Sequence, residues 1–163
     1  MADILLGIGD ISASACAGDV LVTMALGSCV AIVARDPLSG AIGMAHIALP
    51  GAPEGVVRSP AGLPGYYADT AIPALFRTME RVGAPPAGRG LQIKLIGGAT
   101  ILDRMGSFNI GKRNVLGIKR VLWQYGLGSI AEDVGGELSR TVRAEVPSGI
   151  VRITSPGLPT WAV

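Results

Sequence analysis

Val20-Leu21-Val22-Thr23-Met24-Ala25-Leu26 is an apolar, partly β-branched run that Gly27-Ser28 interrupts, and two more apolar runs follow it. These cover residues 28–35 and 40–47, with Asp36-Pro37-Leu38-Ser39 between them. Asp, Pro and Ser favour tight turns and four-residue loops are common in hairpins, so the pattern predicts one strand and then a β-hairpin. Residues 50–64 turn to Gly, Pro and Ala, a connector that begins just after the second arm. Between residues 66 and 82 apolar positions recur at helical spacing, with Pro73 near the first turns, Gly83 as a stop and Pro85-Pro86 beyond. Leu91-Gln92-Ile93-Lys94-Leu95-Ile96 alternates and runs into Gly97-Gly98, a strand that ends in a tight turn. Residues 114–125 place Val115, Ile118, Val121, Leu122 and Tyr125 on one side, an amphipathic helix closed by Gly126. Strand signals return over residues 127–134 and 141–153. Strands first, helices between and strands last predict an α+β fold. The expectation is a single domain over residues 1–163, with mixed or antiparallel sheet layers and helices packed on a face.

The hairpin carries the chemistry. Closing its loop with Arg35 opposite Gly40 sets Val33 against Ile42, Ala31 against Met44 and Cys29 against His46, the only histidine in the chain. Directly opposed residues share a face with Cβ atoms about 4.5–5.5 Å apart, whereas a slip of one residue would separate thiol and imidazole onto opposite faces. An imidazole beside a thiol can accept its proton or form a thiolate–imidazolium pair, which would ionise the thiol near neutral pH and make it a strong nucleophile. The other reading of Cys29 is a small buried hydrophobe. Cys16 has no histidine that local pairing would bring near it, so it is expected to be inert.

Composition narrows the alternatives. One Cys with one His and no clustered carboxylates falls short of a zinc site, and no metal is expected. Gly7-Ile8-Gly9, Gly97-Gly98 and Gly111-Lys112-Arg113 complete neither the dinucleotide nor the P-loop spacing, so they read as turn glycines and no cofactor is expected. Net charge is +2 and aromatics are scarce, which argues against a nucleic-acid partner. Lys112, Arg113, Lys119 and Arg120 recur on one side of the later helix, either as a solvated face or as a dock for an acidic partner or a nucleic-acid backbone. The charge-free stretch over residues 20–34 is too short to cross a bilayer, and Asp3 and Asp10 stand where a secretory leader would be basic. A cytoplasmic protein with free thiols and no membrane insertion is the expectation.

Several segments resemble the CheD family, the chemoreceptor glutamine deamidases of chemotaxis. They are residues 23–30 around Leu26-Gly27-Ser28-Cys29, residues 43–50 around Met44-Ala45-His46, and Tyr67-Ala68-Asp69-Thr70-Ala71-Ile72. Lys94-Leu95-Ile96-Gly97-Gly98-Ala99, Ile110-Gly111-Lys112-Arg113-Asn114-Val115 and Asp133-Val134-Gly135-Gly136 with Arg140 follow in the family's order. The resemblance implies that Cys29 is the nucleophile, His46 its base, and Thr23 the residue that orients the imidazole. It implies hydrolysis of receptor glutamines to glutamate through a thioester, with backbone N–H groups around Gly27, Ser28 and Cys29 facing the oxyanion. Receptor cytoplasmic helices would be the substrate. The alternative it implies is a regulatory module that docks a CheC-type phosphatase with little catalysis of its own. Ser139 and Ala144 depart from the family's usual glycine and aromatic, outside the catalytic segments.

Overall fold

The computed structural model describes residues 1–56, 59–101 and 105–163, so Val57 and Arg58 of the connector lie outside the described residues. Among those described, the strands form two five-stranded sheets. One orders β1 (Asp3–Leu6), β3 (Val20–Leu26), β8 (Arg140–Glu145), β9 (Val151–Thr154) and β10 (Trp161–Ala162). The other orders β2 (Ile11–Ser14), β5 (Ile42–Ile47), β4 (Val30–Arg35), β6 (Gln92–Gly97) and β7 (Ser129–Val134). Two α-helices, α1 (Ala68–Glu80) and α2 (Ile110–Gln124), complete the set. Both sheets are mixed, because β1 runs parallel to β3 and β6 parallel to β7 while the remaining pairs are antiparallel. The domain is therefore α+β, with its helices on one face.

Side-chain alternation explains why the hairpin reads as almost unbroken apolar sequence. Ala31, Val33, Ile42 and Met44 point toward the first sheet and pack with Leu21, Val142 and Ile153. Val30, Ile32, Ala45 and Ile47 point the other way, into Leu75, Met79, Ile118 and Leu122 of the helices. A sheet covered on both faces needs no polar alternation. His46, an even-numbered residue of β5 like Ile42 and Met44, thus enters the space between the two sheets and is 3% exposed.

The hairpin forms in a different register from the one its loop suggests. Arg35 pairs with Ile42, Val33 with Met44 and Ala31 with His46, so every partner is displaced by two residues. The cause lies in Asp36, whose carboxylate accepts hydrogen bonds from the Leu38 and Ser39 N–H groups at 3.1 Å, while its own N–H donates to Ala41 O at 2.9 Å. Asp36 consequently closes the loop from the strand side, and Gly40 becomes the last loop residue at φ 75, a conformation that favours glycine. A displacement of two preserves the face, so Cys29 and His46 still look the same way, but they sit diagonally instead of directly opposite.

Two more departures position the site. In β3 the pairing with β8 shifts between Thr23 and Leu26, with Ala25 at φ 55, a bulge that adds one residue. Leu21 and Thr23 point inward, and after the bulge Leu26 does too, leaving Met24 exposed between them. Helix α2 begins at Ile110, four residues before the expected start, because Gly111 has no side chain: a Cβ there would lie 2.3 Å from Gly98 O. Its first turn therefore rests directly on the Gly98-Ala99 turn. Strands β1, β2 and β10 were not expected, being two to four residues long and pairing at sheet margins.

Candidate active site

Thr23, Cys29 and His46 come from three consecutive strand segments; Thr23 and His46 are in contact between the sheets, and Cys29 packs at the edge of the same inter-sheet cluster. Thr23 and His46 are buried, and Cys29 is half-buried at the point where Gly27-Ser28-Cys29 enters β4. The Thr23 hydroxyl lies 2.7 Å from His46 Nδ1 and 2.8 Å from Leu6 O. A hydroxyl has one proton, and the Leu6 carbonyl can only accept it, so the Thr23 oxygen accepts from Nδ1–H. That assignment puts the lone pair of the neutral imidazole on Nε2. Nε2 is buried and has no hydrogen-bond partner among the described residues. A buried polar nitrogen without a partner costs stability, and such an atom calls for an explanation.

Burial lowers the His46 pKa to about 4, partly opposed by the negative charge of Asp10. Burial likewise pushes the Cys29 thiol up. Both directions run against a thiol ionised near neutral pH in the free protein, because the desolvated site disfavours charge on either group. Cys16 is exposed. Iodoacetamide near neutral pH is accordingly expected to alkylate Cys16 before Cys29, followed by mass spectrometry of the two peptides. Faster labelling of Cys29 would show that its thiolate is populated after all.

Cys29 opens onto a pocket of about 550 Å³, bordered by Gly27 and Ser28 on one side and by Thr100, Ile101, Phe108 and Ile110 on the other. The lining is mostly apolar, and Phe108, Ile101 and Ile110 remain exposed at its rim. The turn that bears the thiol is held through its carbonyls. Gly27 O accepts from Ala99 N–H at 2.8 Å and Cys29 O from Gly98 N–H at 2.8 Å. Among the described residues the N–H groups of Ser28 and Cys29 donate to no backbone acceptor, and the Cys29 N–H is directed at its own thiol. No cluster of three or more His, Cys, Asp or Glu that could hold a metal ion occurs among the described residues, nor does a helix long and apolar enough to cross a membrane.

Reasoning from the hairpin brought Cys29 and His46 to one face but did not place Thr23, which the structure sets against the imidazole. Two contributors were missed. Asp10, next to β2, faces the imidazole with its charge, and Asn114 sits fully buried in α2. Asn114 precedes Ile118 by four residues and so falls on the apolar stripe, a polar exception that helical spacing alone could have flagged.

Fold and site define a class: an α+β protein that pairs an imidazole with a hydroxyl between two packed sheets and sets a thiol from the adjoining strand at the wall of an apolar pocket. The chain belongs to the CheD family, whose model, described as CheD chemotactic sensory transduction, matches residues 49–155. Full-length relatives extend the likeness to the segments holding Thr23, Cys29 and His46. A probable chemoreceptor glutamine deamidase CheD of Syntrophotalea carbinolica is 44% identical over 165 residues, covering 100% of both chains. The probable chemoreceptor glutamine deamidase CheD 1 of Syntrophus aciditrophicus is 37% identical over 98% of each. The chemoreceptor glutamine deamidase CheD of Thermotoga maritima is 36% identical over 94% of this chain and 92% of its own.

Proposed function

We propose that this protein hydrolyses glutamine side chains of chemoreceptors to glutamate, with Cys29 as nucleophile, His46 as its acid–base partner and Thr23 orienting the imidazole. The observation that carries the reading is the buried Nε2, whose lone pair has no partner among the described residues and whose tautomer is set by Thr23. As Sγ attacks the glutamine Cδ, Nε2 takes the thiol proton. The resulting oxyanion is met by the N–H groups of Ser28 and Cys29, each such donor typically contributing about 3 kcal/mol. The imidazolium then protonates the departing nitrogen, ammonia leaves and a thioester remains. Water enters, Nε2 accepts its proton, and the thioester opens to glutamate and the free thiol.

Names of the relatives support this substrate class, and the apolar pocket rim suits the side of a receptor helix presenting one glutamine. The regulatory alternative, docking of a CheC-type phosphatase without catalysis, gives the unpaired imidazole nitrogen nothing to do. Mass spectrometry of receptor cytoplasmic fragments incubated with the protein tests the reading. Conversion of particular glutamines to glutamate with release of ammonia is expected; no conversion across the organism's own receptors would overturn it.

Thr23→Val separates orientation from chemistry. Valine is close in shape but leaves Nδ1–H unpaired in a buried site, a loss of about 1–3 kcal/mol in stability. Activity should fall by less than the roughly 10²–10⁴-fold that general acid–base catalysis supplies, since the base itself remains. Urea unfolding and turnover on the same receptor fragment measure the two.

A further inference from the structure

Asn114 is the single polar side chain on the buried stripe of α2, and both of its amide protons are spent on the two segments that carry the candidate chemistry. Nδ2 donates to Ser28 O at 2.8 Å and to Ala48 O at 2.9 Å. Ser28 immediately precedes the thiol, and Ala48 lies two residues beyond the imidazole. The carbonyls on either side of Ser28 are held by backbone N–H groups of Gly98 and Ala99, so Asn114 supplies the middle of three successive anchors. Its own Oδ1 is buried with no partner among the described residues. The amide is therefore oriented by its N–H donors alone, and the reversed orientation would set oxygen against two carbonyls. An unpaired buried oxygen is a cost to stability that an apolar stripe would not carry. What it secures is a fixed relation between the turn bearing Cys29 and the end of β5 bearing His46.

We propose that Asn114 is a positioning residue: by bridging Ser28 O and Ala48 O it sets the separation of Sγ from Nε2 and turns the Ser28 and Cys29 N–H groups toward the pocket. The proposal rests on the deamidase reading. It gives the first turn of α2, seated on Gly98-Ala99, a part in assembling the site that the nucleophile and base alone do not require. Small misplacements of reacting groups are enough to matter, costing on the order of 10²-fold in rate for about 1 Å.

Three variants test it on the intact protein. Asn114→Asp keeps the shape and removes both donors, Asn114→Leu removes all polarity, and Asn114→Ser is the mildest. Ile72→Val in the same helical core, away from the site, serves as a reference for a small loss of packing. For folded Asn114 variants, kcat on a receptor fragment should fall on the order of 10²-fold while KM stays within about twofold, with Asp the worst. The alkylation rate of Cys29 relative to Cys16 in the same molecule should change as well, because the thiol turn is no longer anchored. A kcat within about twofold of the parent, or a loss matched by Ile72→Val at equal melting temperature, would overturn the proposal. Failure of all three variants to fold would overturn it too, by making Asn114 a folding residue only. Should the parent protein itself convert no glutamine, the deamidase reading fails, and the labelling ratio then decides separately whether Asn114 holds the thiol turn.

Discussion

Cys29→Ala is expected to abolish deamidation, with a fall in kcat on the order of 10⁶-fold, while the protein still folds and still binds a receptor fragment. The side chain removed is small and half-buried at a pocket wall, so the cavity left behind is shallow and open to solvent. Docking energy comes from a wider surface than one small side chain, which contributes little to it. Cys29→Ser should be nearly as inactive, for a reason specific to this site. An imidazole with a pKa of about 4 is a weak base, able to relieve a thiol of its proton during attack but poorly matched to a hydroxyl. Isothermal titration with a receptor fragment and mass spectrometry of the product separate binding from turnover. Retained deamidation in a sequence-verified Cys29→Ala protein would remove Cys29 as the nucleophile.

How far the site was legible follows from which forces act locally. The β3, β4, β5 and β6 strands and both helices announce themselves through periodicity, because each buries a regular set of apolar positions. Hairpin register did not, since it is decided by one carboxylate: Asp36 collects the Leu38 and Ser39 N–H groups and closes the loop one residue later than the apolar runs suggest. The face survived because the error was even. Thr23 was beyond local reasoning, as it approaches His46 from the other sheet, across 23 residues of sequence and past a bulge that no pattern marks. Nor could spacing reveal the electrostatics. Cys beside His suggests mutual activation, yet burial is the largest influence on both groups and disfavours charge on either, an outcome that depends on the depth of the site between two sheets.

That depth makes the response to acid the second large effect. The pKa of His46 lies at about 4 in the folded protein against the ordinary imidazole value of 6.5, so the unfolded chain binds the proton more readily. Stability then rises with pH across that interval: it is fully present above about 6.5, is lost progressively as pH falls, and reaches its limit near 4, for a total of about 3 kcal/mol. The interval is informative because His46 is the only histidine. The depressed carboxyls, Asp19 held by the Ser14 hydroxyl, Asp36 by Ser39 and the Leu38 N–H, and Glu132 by the Lys119 ammonium, lose their contribution only from their ordinary values of 3.8, 3.8 and 4.5 downward. Urea unfolding of the parent between pH 7 and 5 should show the decline, and His46→Gln should flatten it. Activity should follow the same group, with the acid limb of kcat/KM near pH 4 instead of near 6.5 and a plateau through neutrality, as expected when a neutral imidazole accepts the thiol proton. His46→Gln should lose turnover at every pH, on the order of 10⁴-fold or more, because its amide holds the pocket's shape but cannot take up a proton. An acid limb near 6.5 or substantial turnover by His46→Gln would show that the buried nitrogen is not the base, and an unchanged pH dependence of stability in that variant would show that the decline does not come from His46.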